Sequence, residues 1–129
     1  MKAQYTVAFA VAAFGLGAIS VQGLHAQAKS PAYVVIDIDE ITDASGFKAV
    51  VDRGPATEAA ARAIGGRYLA RTQNITALDG TAPKRFLIIA FDSVEKAKAY
   101  YDNATIKETN EIRMKTTRSR SFVVEGMSN

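Results

Sequence analysis

The sequence predicts an α+β domain with the element order β-α-β-β-α-β and an antiparallel four-stranded sheet. Three observations carry that prediction. Residues 32–41, AYVVIDIDEI, alternate in the period-two pattern of a strand. Residues 85–91, RFLIIAF, are apolar almost without interruption, as in a strand covered on both faces. Around them lie amphipathic stretches with helix-start residues at Asp43, Asp92 and Thr105.

The first residues of the 129-residue chain pattern differently. Lys2 is the only Lys, Arg, Asp or Glu before Lys29, and Thr6–Val21 is uncharged and mostly apolar. Ala26-Gln27-Ala28 has the small-x-small form of a cleavage site, so residues 1–28 are expected to be a secretory signal peptide. The apolar run is shorter than a membrane span and is interrupted by Gly15, Gly17 and Ser20. Cleavage after Ala28 implies a periplasmic or secreted protein with no membrane attachment. Residues 29–129 then form one domain of 101 residues.

That domain carries 15 Lys and Arg against 13 Asp and Glu, with both signs interspersed. A net charge of +2 is no nucleic-acid signature. The chain has no cysteine, and its single histidine, His25, falls in the signal segment. Ser-His-Asp and Cys-His catalysis are therefore excluded, as are the usual zinc, copper and haem ligand sets. No metal and no cofactor is expected. Carboxylate, lysine, arginine, tyrosine and hydroxyl chemistry remain, or binding without reaction.

Taken in order, Val34, Ile36 and Ile38 share one face of the first strand, and Tyr33, Val35, Asp37 and Asp39 the other. Asp43 is a plausible N-cap for a helix with the stripe Phe47, Val50 and Val51. Gly54-Pro55 interrupts it and opens a renewed helix over 56–64, which Gly65 ends as a C′ residue. Residues 67–72 form the second strand, and Asp79-Gly80 with Pro83 marks the hairpin connection to the third at 85–91. Asp92 with Glu95, and Thr105 with Glu108, resemble capping boxes for two further helices, the second running to about Thr117. Residues 121–125, SFVVE, form the fourth strand. This is the order of a ferredoxin-like fold, whose helices cover one sheet face. Yet 85–91 points Phe86, Ile88 and Ala90 one way and Leu87, Ile89 and Phe91 the other. A second copy of the chain is the expected cover for the remaining face.

Residues 65–71, GGRYLAR, together with FDSVEKAKAYYD at 91–102, Arg113 and FVVEG at 122–126, resemble the family called domain of unknown function 1330. That family lies within the dimeric α/β-barrel superfamily, and the resemblance covers about residues 32–127. The chain departs from the family pattern at Thr72-Gln73, where glycines are usual. It departs again at Tyr100-Tyr101, where Trp-Tyr is usual, and at Ile106, near a usual tyrosine. The resemblance implies a dimeric α/β barrel. It implies no activity, since relatives in the superfamily include cofactor-free monooxygenases, isomerase-like enzymes and proteins without a known reaction.

Four residues are candidates for a ligand site. Arg71 offers planar donors to a carboxylate or enolate at a strand end, or pairs with an acid of the same chain. Arg67, read as lying on the same face with Leu69 between them, suits protection of a sheet edge. Asp37 is a mid-strand carboxylate that needs a partner, either in a site or across a dimer contact. Tyr101 aligns with Val94 and Ala97 and is expected inward rather than Tyr100. Arg113 belongs to a basic run with Lys115, Arg118 and Arg120 at a helix end, but its i+7 spacing from Ile106 turns it inward. Together they suggest a site for a small anionic or aromatic ligand. The alternative is a cofactor-free monooxygenase- or isomerase-like enzyme, with Asp37 as base and Arg71 stabilising an enolate. No catalytic residue is assigned.

Overall fold

Strand β1 (Ala32–Ile41) lies inside the sheet, and its alternation sets the two sides of the domain. Ala32, Val34, Ile36 and Ile38 are buried together with residues from every helix, while Tyr33, Val35 and Asp37 face the other way. The computed structural model describes residues 30–128, so the signal segment expected at 1–28 lies outside the described residues. All elements fall within the unit Pro31–Gly126.

After β1, the Asp43 side chain accepts from the Gly46 N–H at 3.1 Å and caps helix α1 (Ala44–Asp52), as expected. The chain breaks at Arg53 and resumes as α2 (Gly54–Arg62), with Pro55 in the first turn. The paired glycines that follow have different jobs. Gly65 takes φ of +84°, a left-handed value that suits a residue without Cβ. Gly66 is needed for space, because a Cβ there would sit 2.6 Å from the Phe91 ring and 2.8 Å from the Ala61 carbonyl oxygen.

Strand β2 (Arg67–Thr72) forms one edge of the sheet and pairs with β3 (Arg85–Phe91). The order β2-β3-β1-β4 is antiparallel throughout, which is the ferredoxin-like topology. A bulge between Tyr68 and Ala70 changes one expectation. Arg67 pairs opposite Ala90 and Arg71 opposite Leu87, and adjacent β3 residues point to opposite faces. The two arginines therefore lie on opposite sides of the sheet, not on one.

Helix α3 (Val94–Asp102) is capped by Ser93, whose hydroxyl accepts from the Lys96 N–H, and not by Asp92. Helix α4 (Ala104–Thr116) is capped by Asn103, which accepts from the Thr105 and Ile106 N–H groups, and not by Thr105. In both cases the cap is the residue with extended backbone directly before the first helical residue. β4 (Thr117–Glu125) begins four residues earlier than SFVVE suggested and follows α4 with no loop between. Arg118 and Arg120 thus leave the helix and stand on a strand, paired with Glu40 and Asp37. The alternating run T-R-S-R-S at 117–121 already has the strand period.

The helices cover one face. The other carries Val35, Phe86, Ile88 and Ala90, with Phe122 and Val124 still 46% and 43% exposed at the β4 edge. That apolar surface is the second face anticipated from RFLIIAF.

Candidate functional site

Between the helices and the covered sheet face lies a cavity of about 390 Å³, within the range of small-ligand sites. Its floor includes Ile36 and Ile38 from β1 and Leu87 from β3, and Phe47, Val50 and Ile106 close it from above. The break at Gly54-Pro55 lets α1 and α2 diverge around one side of it.

The buried end is built by α4. Its inward stripe reads Ile106, Thr109, Asn110, Arg113 and Thr116, so a helix that should bury apolar residues buries polar ones. Beneath it, the inner positions of β4 opposite Ile38 and Ile36 are Ser119 and Ser121. Arg113 is only 4% exposed. It donates to the Ser119 hydroxyl at 2.6 Å, to the Tyr101 hydroxyl at 3.2 Å and to Asn110 Oδ1 at 3.4 Å. All these acceptors are neutral. Among the described residues no carboxylate pairs with this guanidinium. Its Nε and the amide Nδ2 of Asn110 are buried without any partner. A buried charge lacking a counter-charge is a costly arrangement in a fold that needs nothing there.

The more exposed end is charged in a different way. Arg71 lies 4.7 Å over the Tyr68 ring and donates to Glu58 at 3.1 Å. Glu58 also accepts two hydrogen bonds from Arg62. Those from Arg62, and next the one from Arg71, hold its carboxyl below the usual carboxylate range. Arg85 places its guanidinium 5.7 Å from the centre of the Phe47 ring. Tyr100, which packs its ring 5.3 Å from Phe91, has its hydroxyl pushed far above the normal tyrosine range by burial and stays neutral.

Of the four candidates, Arg71 and Arg113 line this cavity. Tyr101 reaches it only through Arg113, its hydroxyl also bonded to Ser121. The more deeply buried tyrosine is Tyr100, at 3% exposure, so the expected order of the pair is reversed. Both stand one turn beyond Ala97, and the core side of α3 passes between them. Asp37 is not part of the site. It sits on the opposite face of the sheet, 2.5 Å from Arg120, with its Oδ1 buried and unpartnered.

The family model described as Domain of unknown function (DUF1330) matches residues 31–127. The chain belongs to this family. The same fold is seen in a protein of unknown function from Rhodopseudomonas palustris, at 15% identity and a TM-score of 0.60, covering 85% of this chain and 95% of that one. A dimeric ferredoxin-like protein of unknown function from Jannaschia aligns at 10% identity and 0.57, covering 74% and 98%. A cofactor-independent oxygenase from Streptomyces nogalater aligns at 11% identity and 0.52, covering 78% and 96%. At these identities the likeness is one of fold. No curated protein matches the chain in sequence.

In this DUF1330 chain, Asn110, Glu58, Arg85 and the two serines of β4 join the site without having been among the four expected candidates. A signal existed for two groups of them. Polar residues recur at core spacing along 106–116, and serine fills both inner positions of 119–121. Glu58 and Arg85 left none, since both are ordinary charged residues brought to the cavity by strand pairing and by the α1–α2 break.

Proposed function

We propose that the protein acts as an exported homodimer that binds a small anionic or aromatic molecule in the cavity between helices and sheet. The ligand reading rests on Arg113, a buried guanidinium that lines the cavity and, among the described residues, has no opposing carboxylate. An anion entering there supplies the missing charge and acceptors together. The homodimer is supported by the apolar outer face of β1, β3 and β4, and by solved neighbours described as dimeric. Export is supported by the uncharged apolar run before Ala26-Gln27-Ala28.

An enzymatic reading has a weaker basis. The oxygenase from Streptomyces nogalater shares the fold, but a reaction of that kind here needs a base beside the ligand. Among the described residues Glu58 is the only carboxylate on the cavity wall, and two arginines lower its basicity. Asp37 is separated from the cavity by the sheet.

The test is a thermal-shift screen of the protein beginning at Lys29 against small acids, amides and aromatics, repeated on Ile106→Trp, which fills the cavity. Hits that stabilise the wild type and disappear in the filled variant support the reading. A screen without hits, or hits that ignore the filling, refutes it.

A further inference from the structure

Taking the cavity reading as its basis, we infer that the connection between β2 and β3, residues 73–84, is a lid that closes over the exposed rim of the cavity with Leu78 at its tip. The length of this connection, its placement and the groups that face it across the rim carry the inference.

Twelve residues separate Thr72 from Arg85, and no helix or strand forms among them. Hairpin loops run to about two to five residues, and much longer structureless connections serve mostly as lids, binding loops or linkers. This one is tied at its two ends. The Asn74 N–H donates to the Thr72 hydroxyl at 2.9 Å, and the Lys84 N–H to the Ile38 carbonyl at 2.7 Å. Among the described residues no hydrogen bond holds 75–83 between those ties. A segment fixed at both ends and free in the middle opens and closes at low cost.

Its ends leave from the cavity itself. Arg71 and Arg85, beside the two ends of the connection, line the cavity, whereas no residue of 73–84 does. The loop therefore stands off the rim in this structure, with Leu78 93% exposed. The six residues from Thr72 to Leu78 extend to roughly 20 Å, enough for the tip to cross a cavity of this volume.

The rim opposite carries matching groups. Val51 on α1 lines the cavity and is 49% exposed. A single exposed apolar side chain is ordinary on a protein surface, but two beside one cavity bury each other when the tip comes down. The charges match as well. Asp79, next to Leu78, is the one carboxylate of the loop, and Arg85 is an arginine of the cavity wall. Among the described residues neither makes a salt bridge, and the Arg85 guanidinium rests over the Phe47 ring. Closure buries Leu78 against Val51, brings Asp79 to Arg85 and shuts water out of the cavity.

The chain has no cysteine, so one introduced at Ile106, a cavity residue only 2% exposed, reports entry from solvent. The experiment follows the labelling rate of Ile106→Cys by N-ethylmaleimide in the protein beginning at Lys29. It is repeated with residues 74–83 replaced by Asn-Gly, and with Leu78→Asp and Asp79→Lys together in the intact loop. Both changes are expected to speed labelling at least about tenfold, as for a lid shut nine-tenths of the time, with stability in urea unchanged. If the shortened loop fails to fold, the doubly substituted one gives the same readout. Equal and fast labelling in all three proteins overturns the lid and leaves the cavity a binding site. Faster labelling on loop removal alone overturns closure by this tip. Labelling that occurs only through global unfolding in every variant removes the cavity reading, and the lid with it.

Discussion

Replacing Ile88 by Asp separates assembly from folding. Ile88 lies on the uncovered sheet face, opposite Val35 on β1 and Ala70 on β2. Its neighbour Ile89 is fully buried against the helices. In a monomer, Asp at position 88 meets water and the domain stays folded. In a symmetric dimer the residue enters the contact twice, once from each protomer. Taking ~2 kcal/mol as a low figure for burying each unpaired carboxylate, the pair costs about 4 kcal/mol, or roughly a thousandfold in dissociation constant. Sedimentation velocity at micromolar concentration should show a dimer for the wild type and a monomer with native circular dichroism for Ile88→Asp. Ile89→Ala is the control. It should stay dimeric while losing about 2–5 kcal/mol of stability. A monomeric wild type, or a dimer that survives Ile88→Asp, refutes the assignment of that face to a second copy.

Three other predictions follow from particular residues. Glu58 has a carboxyl held below its ordinary value of 4.5, so it favours the folded state above that pH and this contribution vanishes as pH falls through the lowered value. Glu58→Gln should therefore show a shallower acid-side loss of stability in urea melts below about pH 4.5 than the wild type. Ser93→Ala should cost about 1 kcal/mol in the same assay and Asp92→Ala much less, because the serine makes the cap; equal costs would return the cap to Asp92. N-terminal sequencing of exported protein should begin at Lys29, and a protein retained with residues 1–28 intact would end the export reading.

The fold was legible because its strands have strong local patterns. Strands β2 and β3 were placed at 67–72 and 85–91 from residue type, as was the two-sidedness of RFLIIAF. Caps were misread by one residue at Ser93 and by two at Asn103. Several polar residues stand together there, and only backbone geometry chooses among them. The site was half legible. Helical spacing brought Arg113 inward, but no local rule tells a reader that its partners would all be neutral. Asp37 misled for a related reason. Its partner Arg120 is 83 positions away in the chain, and that pairing becomes visible only once β1 and β4 lie side by side.

The bulge in β2 also bears on how this strand tolerates changes of length. Leu69 is the residue without a place in the ladder, and it is 52% exposed. Removing it would leave Tyr68 and Arg71 toward the cavity and Ala70 toward the opposite face, as they are now. Most single-residue deletions in a strand invert every side chain beyond them. Here the deletion instead restores a regular ladder. Natural variants that lack this one residue can keep the cavity arginine in place, and loss of Ala70 does the same by letting Leu69 take its position opposite Ile88. Length variation in this strand should concentrate at the bulge.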